Sequence, residues 1–139
     1  THGAEMVSLN AFIATLNFYK KNKVIEKNKK FDQALITGFN SISKDLNILE
    51  HIKMDGLPCS PVIKIDYKNK SAELKTFFQQ EMIKNQVIMP SISISYRHGS
   101  TELNHTLNAA YESLKRIKKT IKLKKNFNLK GPAIQPIFK

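Results

Sequence analysis

The most regular feature of the chain is the recurrence of apolar residues every three or four positions, which predicts amphipathic helices. The first such series, within residues 5–22, consists of Met6, Leu9, Ile13 and Leu16. A longer helix is predicted to begin near Val24, with an apolar stripe at Phe31, Leu35, Phe39, Ile42, Leu46 and Leu49. Gly38 is its main interruption, and a single glycine weakens a helix without ending it.

The central stretch changes from helical spacing to turn signals and alternation. The segment MDGLPCSP contains Gly56 and two prolines and is predicted to be a turn-rich connection. Residues 62–67, VIKIDY, alternate as a half-buried strand does. Two further β candidates, QVIM and ISISY, follow later, and the second covers residues 92–96. Pro90 separates them and marks a break or a sheet edge, because proline cannot donate to a central ladder.

Two more helices are predicted on either side of those later β candidates. Ser71 is a suitable N-cap for the first, whose buried stripe is predicted at Leu74, Phe77, Phe78 and Met82. In the last helix, Ser100 or Thr101 provides the cap and Glu102 lies in the first turn, where the helix dipole favours an anion. Its apolar stripe is Leu103, Leu107, Ala110, Leu114, Ile117 and Ile121.

Together these elements predict an α/β (α+β) fold, with a small mixed or antiparallel sheet covered by helices on one face and preceded by a long helix. The segments 62–67 and 92–96 are expected to be strands of that sheet, with helices 74–84 and 101–121 on the same face. We expect three regions: a helical segment at residues 1–55, a small α/β domain at 56–121 and a tail at 122–139 that packs on the rest.

The formal net charge of +12 brings nucleic acid into consideration as a partner. It comes from 21 lysines against two arginines, and the lysines are spread over every segment. Arginine reads guanine edges and grips phosphate with paired hydrogen bonds, whereas scattered lysine is typical of a solvated surface. The composition therefore argues against a nucleic-acid partner. A small basic module that binds nucleic acid is kept as the alternative function.

Several absences in the sequence limit the classes of function. No run of about 18 apolar residues occurs, so no membrane-spanning helix and no membrane partner are expected. The single Cys59 has no Cys or His at zinc spacing, which argues against a disulfide or a structural metal and favours a cytoplasmic protein. GxGxxG, GxxxxGK[ST], HExxH, CxxC and GxSxG motifs are all missing. Because the chain opens at Thr1 directly into a helical pattern, it is expected to be a fragment.

The order of these segments resembles the class III aminotransferases that depend on pyridoxal phosphate. The stretch THGAEMVSLNAFIATLNFYKKNKVIEK is similar to the family segment T-[FLY]-[SG]-G-[NE]-P-[LI]-[AS]-x-A-A-x-A-T-L and the helix after it, which ends in a Val-Ile pair. The later residues resemble F-x-x-E-M-[LI]-x-x-G-V-x-[LM]-x-P-S, a strand, and then H-T-E-E-D-I-D-x-T-L-x-A. Glutamate-1-semialdehyde aminomutase and its aminotransferase relatives end in this way. The match runs in order from Thr1 to about Ile121.

The resemblance implies a function and a cofactor. Members of this family use pyridoxal 5'-phosphate to move an amino group from a small-molecule amino donor to a carbonyl acceptor, and they act as homodimers. This chain would be the small carboxy-terminal domain of such a fold-type-I enzyme. Thr1 matches the family threonine that hydrogen-bonds the cofactor phosphate of the partner subunit. The Schiff-base lysine lies upstream in the family, so the fragment alone is expected to have no catalytic residue and no activity.

The remaining polar positions are expected to be structural. His98 matches the family histidine in the strand-to-helix turn, and we interpret it as a hydrogen-bonding fixture beside Gly99 rather than as a catalyst. Glu81 is expected on the outside of its helix. The other histidines are expected at the surface: His2, His51 and His105.

The chain also departs from the family pattern. Within the opening motif, it differs at Ala4, Glu5, Met6, Asn10 and Ala11. The interval from Pro90 to His98 is shorter than in the aminomutase and lacks its acidic residue. These differences favour an aminotransferase over an aminomutase, acting on a carbonyl substrate such as a sugar or a semialdehyde.

Overall fold

The computed structural model describes residues 5–58 and 60–135 and shows four helices and one antiparallel hairpin. In chain order, the elements are α1 (Met6–Asn22), α2 (Val24–Asp45), β1 (Ile52–Leu57), β2 (Ser60–Ile65), α3 (Ser71–Lys84) and α4 (Ser100–Lys122). The predicted small α+β class with an antiparallel sheet is therefore confirmed at this level. Among the helices in these ranges, none has the length and apolar character needed to cross a bilayer.

α1 and α2 are joined through a single residue, Lys23. Its left-handed conformation, with φ 48° and ψ 48°, ends α1 in the way that a C-terminal cap does. At the other end of α1, the Glu5 carboxylate accepts a hydrogen bond from the Ser8 amide at 3.1 Å and satisfies a free donor of the first turn. α2 is the long helix predicted from the sequence, and it buries Leu35 and Phe39. α1 buries none of its side chains, so its apolar stripe is not part of the core.

The hairpin lies on α2. β2 confirms the strand predicted at 62–67, shifted by two residues towards the amino terminus. The Asn40 side chain of α2 holds β1 in place, because its amide group both donates to the Met54 carbonyl and accepts from the Met54 amide, each at 2.8 Å.

The prediction that MDGLPCSP is only a turn-rich connection is wrong, because most of β1 lies in it. Gly56 has a φ of +107°, which suits a residue close to a tight reversal of the chain. Pro61 lies opposite Gly56, in a two-stranded sheet where each strand is also an edge and tolerates proline. Turn-forming residues therefore mark the tip of a hairpin here rather than a connection between elements.

The strand predicted at residues 92–96 is a second error, together with the strand predicted for QVIM. Residues 87–95 form irregular chain, and the sheet of the described residues consists of β1 and β2. Gln86 enters this stretch with a positive φ of 63°, and Pro90 interrupts it. Ile92 and Ile94 nevertheless pack against the core while the serines around them are exposed. The alternation of isoleucine and serine in this segment therefore reflects which side chains are buried, and the segment does not pair with a strand of the described sheet.

The core lies between α2, α3, α4 and β1. Phe39 of α2 meets Phe78 of α3 edge to face, with ring centroids 5.9 Å apart. α2 and α4 approach closely at Gly38, where a Cβ atom would lie 2.7 Å from Cδ1 of Leu107. The predicted stripes of these three helices supply most of the core, as Leu35, Phe39, Leu46, Leu74, Phe77, Phe78, Met82, Ala110, Leu114 and Ile117.

The prediction that α3 and α4 cover the same face of the sheet is wrong for α4. In the described chain, α2 and α3 contact the hairpin, and α4 packs on α2 and α3 instead. The N-cap of α4 is Gly99 rather than Ser100 or Thr101. The N-cap of α3 is likewise not the predicted Ser71 but Lys70; Ser71 is the first residue of the helix, and its hydroxyl accepts a hydrogen bond from the Tyr67 amide at 3.0 Å.

The residues after α4 lie across α3. Phe127 contacts the rings of Tyr67 and Phe77 at centroid distances of 5.9 and 5.4 Å. Gln80 of α3 donates to the Asn128 carbonyl at 3.0 Å and accepts from the Lys130 amide at 2.8 Å. This part of the tail is thus fixed by both apolar and backbone contacts. The division at residues 55, 121 and 139 stays a prediction, and β1 spans the first of its boundaries.

Candidate functional site

The one predicted cofactor residue, Thr1, lies outside the described residues, and so does His2. The described residue nearest to Thr1 in the observed α1 cap is Glu5, whose carboxylate already binds the Ser8 amide. The Ser8 contact also holds the pKa of Glu5 below its usual value. A carboxylate at this position would repel a phosphate, so α1 does not offer its amino terminus to one.

The turn at residues 96–99, just before α4, is fixed to α1 and α2 by its side chains. The Tyr96 ring meets Phe18 of α1 edge to face, with ring centroids 5.3 Å apart. Lys27 of α2 donates its ammonium group to the Tyr96 carbonyl at 2.8 Å. The same ammonium group lies 4.0 Å from the centre of the Tyr96 ring, which is within cation–π range. This turn is therefore linked by side-chain contacts to α1 through Phe18 and to α2 through Lys27.

His98 is part of the same turn and has the contacts of a structural residue. Its ring is half-buried and lies tilted over Phe31 of α2, at a centroid distance of 5.6 Å. Its Nδ1 atom accepts a weak hydrogen bond from the Ser95 amide at 3.3 Å. These contacts agree with the interpretation of His98 as a fixture of the turn. Nearby, Glu102 accepts from the Gly99 amide at 2.7 Å, and this bond lowers the pKa of the Glu102 carboxyl.

Asp32 is a buried acid that the sequence interpretation did not single out. Its side chain is on the inner face of α2 and only 1% exposed, and neither carboxylate oxygen bonds to another described residue. Burial raises the pKa of Asp32, and the nearby His98 opposes that shift. The spacing of Asp32 from Leu35 and Phe39, three and seven residues, could have indicated its burial.

A cleft of about 280 Å³ lies beside this group, between α2, the irregular segment and the start of α4. Its walls are mostly apolar and include Phe31, Leu35 and Ile92. His98, Glu102 and the exposed His105 supply its polar side. No three metal-binding side chains come together in residues 5–58 and 60–135. In the described chain, neither of the two imidazoles in the cleft, His98 and His105, has an acid or a nucleophile in hydrogen-bond contact with it, which is not a catalytic arrangement.

Glu81 does not lie on the outside of α3, so that prediction is wrong. Its side chain is buried, and its carboxylate lies 2.9 Å from Nε of Arg116 on α4 and 2.5 Å from Nζ of Lys84. The carboxylate points inward because α4 covers this face of α3 and supplies the arginine. Spacings of seven and four residues from Leu74 and Phe77 were the available signal.

Among the histidines, His51 is half-buried against Tyr67, with ring centroids 5.0 Å apart, and so is not a free surface residue.

α1 presents an extensive apolar surface to solvent. Large apolar side chains cover one broad side of α1, and Val7 and Phe18 lie on the opposite side. Two polar stripes separate these apolar regions: Asn10, Asn17 and Lys21, and Ser8, Thr15 and Asn22. Val7 is 74% exposed and Phe12 is 60% exposed. The apolar residues of this surface are Met6, Val7, Leu9, Phe12, Ile13, Leu16, Phe18 and Tyr19. A helix with so wide an apolar surface is typical of the interior of a larger protein.

Comparison with known proteins adds no relative to this picture. No protein-family model, no curated protein and no solved structure matches the chain. Functional inference therefore depends on the residues themselves and on the geometry given above.

Proposed function

We propose that this chain is the carboxy-terminal part of a pyridoxal-phosphate-dependent aminotransferase of class III. The observation that carries the proposal is α1, the helix directly after Thr1. Its eight large apolar residues are exposed, although the other three helices bury most of theirs. The segment with the best resemblance to the cofactor domain of such enzymes is thus the one that the described chain leaves uncovered. This supports a larger body of protein against α1.

In this proposal, the residues of the chain bind and position rather than carry out chemistry. Pyridoxal phosphate, when bound, supplies the electron sink for amino-group transfer from an amino donor to a carbonyl acceptor. Thr1 donates its hydroxyl and amide hydrogen bonds to the phosphate of the partner subunit's cofactor. The tether of Tyr96 to Phe18 and Lys27 then connects α1 to the small domain. The amino donor and the carbonyl substrate are proposed only as classes.

The role of Thr1 can be tested in the complete enzyme with the variant Thr1→Ala. Loss of a hydrogen bond to a charged phosphate costs about 1.5–3 kcal/mol, so cofactor affinity should fall by about ten- to a hundredfold. Retention of the cofactor is measured by dialysis against cofactor-free buffer. Thr101→Ala is the matched control, because Thr101 is an exposed residue at the start of α4. Equal retention by both variants would show that Thr1 does not hold the phosphate.

The nucleic-acid alternative has its own test. Charge that is spread over exposed lysines on every helix should give only weak and sequence-independent binding at physiological salt. Fluorescence anisotropy with labelled duplex DNA and single-stranded RNA measures this directly. Nanomolar binding with a steep dependence on salt would replace the aminotransferase proposal with the alternative.

A further inference from the structure

A groove runs along one side of the hairpin, and we call it the edge groove. One wall consists of residues 60–63 and 65 of β2, and the opposite wall consists of residues 89–92. Lys75, Phe78 and Gln79 of α3 form its floor. The groove has a volume of about 250 Å³ and is open to solvent along part of its length.

The β2 wall is the free edge of a strand. β1 is the only ladder partner of β2 in the described chain. Consecutive residues of β2 line the groove, although their side chains point to opposite faces of the sheet. A depression above one face would be lined by every second residue only. The groove therefore runs beside the strand edge, where backbone groups of β2 face away from β1.

The opposite wall also offers backbone groups. In the described chain, no backbone amide or carbonyl of residues 88–94 bonds to another residue. Ile92 and Ile94 are half-buried while Ser91, Ser93 and Ser95 are exposed, which is the alternation of an extended segment. Backbone donors and acceptors are usually paired in folded proteins. Both walls of the edge groove thus present unpaired peptide groups across a gap.

We infer that the edge groove is a binding site for an extended peptide segment with an acidic side chain, supplied by a partner protein. An added strand would pair with backbone groups of β2 on one side and of residues 91 and 92 on the other. Its apolar side chains would contact Phe78 on the floor. The inference does not depend on the proposed aminotransferase role.

Charge selects an acidic peptide as the occupant. Lys75 is the only ionisable side chain that lines the groove, and it makes no ion pair with another described residue. The net charge of +12 favours a partner of opposite sign. A second copy of this chain is a poorer occupant, because its own 91–95 segment is uncharged and the two copies repel one another.

The test uses the full chain and a fluorescein-labelled peptide of alternating valine and threonine with one glutamate. Anisotropy should show saturable binding, and a peptide of the same sequence with N-methylated backbone amides should not bind. Lys75→Glu should weaken binding of the glutamate peptide by about fivefold or more and should favour the peptide in which lysine replaces glutamate. Lys122→Glu, at the exposed end of α4, is the matched control and should leave binding unchanged. Far-UV circular dichroism checks that each variant is folded.

Several results would overturn the inference. Equal binding of the N-methylated peptide would exclude strand pairing, and no change of preference in Lys75→Glu would exclude the proposed ion pair. Nuclear Overhauser effects between residues 91–95 and β2 in the free chain would show that the two walls already pair with each other. Sedimentation that shows a dimer dissolved by Ser91→Pro, in the groove wall, but not by Ser41→Ala, at an exposed position of α2, would assign the groove to a second copy.

Discussion

At the scale of single residues, the two buried carboxylates of Glu81 and Asp32 differ in whether they have ion-pair or hydrogen-bond partners. Glu81 lies between two cations, each from a side chain that still reaches solvent. Asp32 is as deeply buried, but in the described chain its oxygens have no hydrogen-bond partner. An ionised group that is buried without partners costs free energy, whereas one that is paired on both oxygens does not carry the same cost. Glu81 should therefore stabilise the fold, and Asp32 should weaken it near neutral pH.

Replacement of Arg116 by alanine should destabilise the chain by about 1–2 kcal/mol, because Glu81 then keeps only Lys84. The value lies at the lower end for a charged hydrogen bond because Arg116 is largely exposed. Urea unfolding followed by circular dichroism provides the measurement. Lys115→Ala is the control: its ion pair with Glu112 is 3.7 Å long and exposed, so its loss should cost about 0.5 kcal/mol or less. Equal effects of the two variants would contradict the role given to Glu81.

Asp32→Asn should make the chain more stable near neutral pH, by about 1–3 kcal/mol. Burial raises the pKa of Asp32, so the folded state keeps this proton to a higher pH than the unfolded state. The wild-type chain therefore loses stability as the pH rises from the unfolded pKa, about 3.9, through the raised folded value. Asparagine carries no such proton, and the advantage of the variant should grow over that interval.

Unfolding in urea at several pH values from about 4 to 7 measures this difference. Asp45→Asn, which removes an exposed carboxylate from the same helix, is the control. An advantage of Asp32→Asn that stays constant over the whole interval would contradict the account of a buried and unpaired acid.

At the scale of elements, periodicity predicted the helices well, because helix burial repeats every three or four residues regardless of the neighbouring element. All four predicted helices are present in the structure, and α2, α3 and α4 bury most of the apolar residues predicted for their stripes. Strands depend on a partner, and the sequence does not show which segment that is. Residues 92–96 alternate but have no ladder partner in the described chain, while β1 was hidden because Gly56 suggested a turn. The ion pair of Glu81 with Arg116 and the effect of His98 on the pKa of Asp32 depend on α4 and the 96–99 turn, which lie far away in sequence.

The exposed apolar side chains of α1 allow a test of whether a larger protein covers this helix. Ile13→Lys should change the stability of the 139-residue chain by about 0.5 kcal/mol or less, because Ile13 is 55% exposed there. In the proposed aminotransferase, the same change would bury an unpaired ammonium group and should cost more than about 2 kcal/mol. Thermal unfolding of both proteins gives the comparison. Asn17→Lys, on a polar stripe of α1, should be tolerated in both, and equal tolerance of Ile13→Lys would mean that nothing covers α1.

At the scale of the whole molecule, the described residues build one core around α2, α3 and α4, with α1 extending from it. The sequence predicted the mixed fold and the long helix, and the cofactor domain of the proposed aminotransferase would cover the exposed helix α1. The proposed cofactor contact involves Thr1, and the lysine that binds the cofactor belongs to the proposed upstream part. The central claim therefore has to be tested on the complete protein.

The most direct measurement is to reduce the purified complete protein with borohydride and to locate any lysine that carries pyridoxal phosphate by peptide mass spectrometry. Reduction fixes the cofactor to the lysine that holds it, so no substrate has to be known. The aminotransferase account predicts one modified lysine, amino-terminal to Thr1 in the complete sequence, and none among the lysines of this chain. An unmodified protein after incubation with pyridoxal phosphate, or a specific adduct on a lysine within the 139 residues, would contradict it.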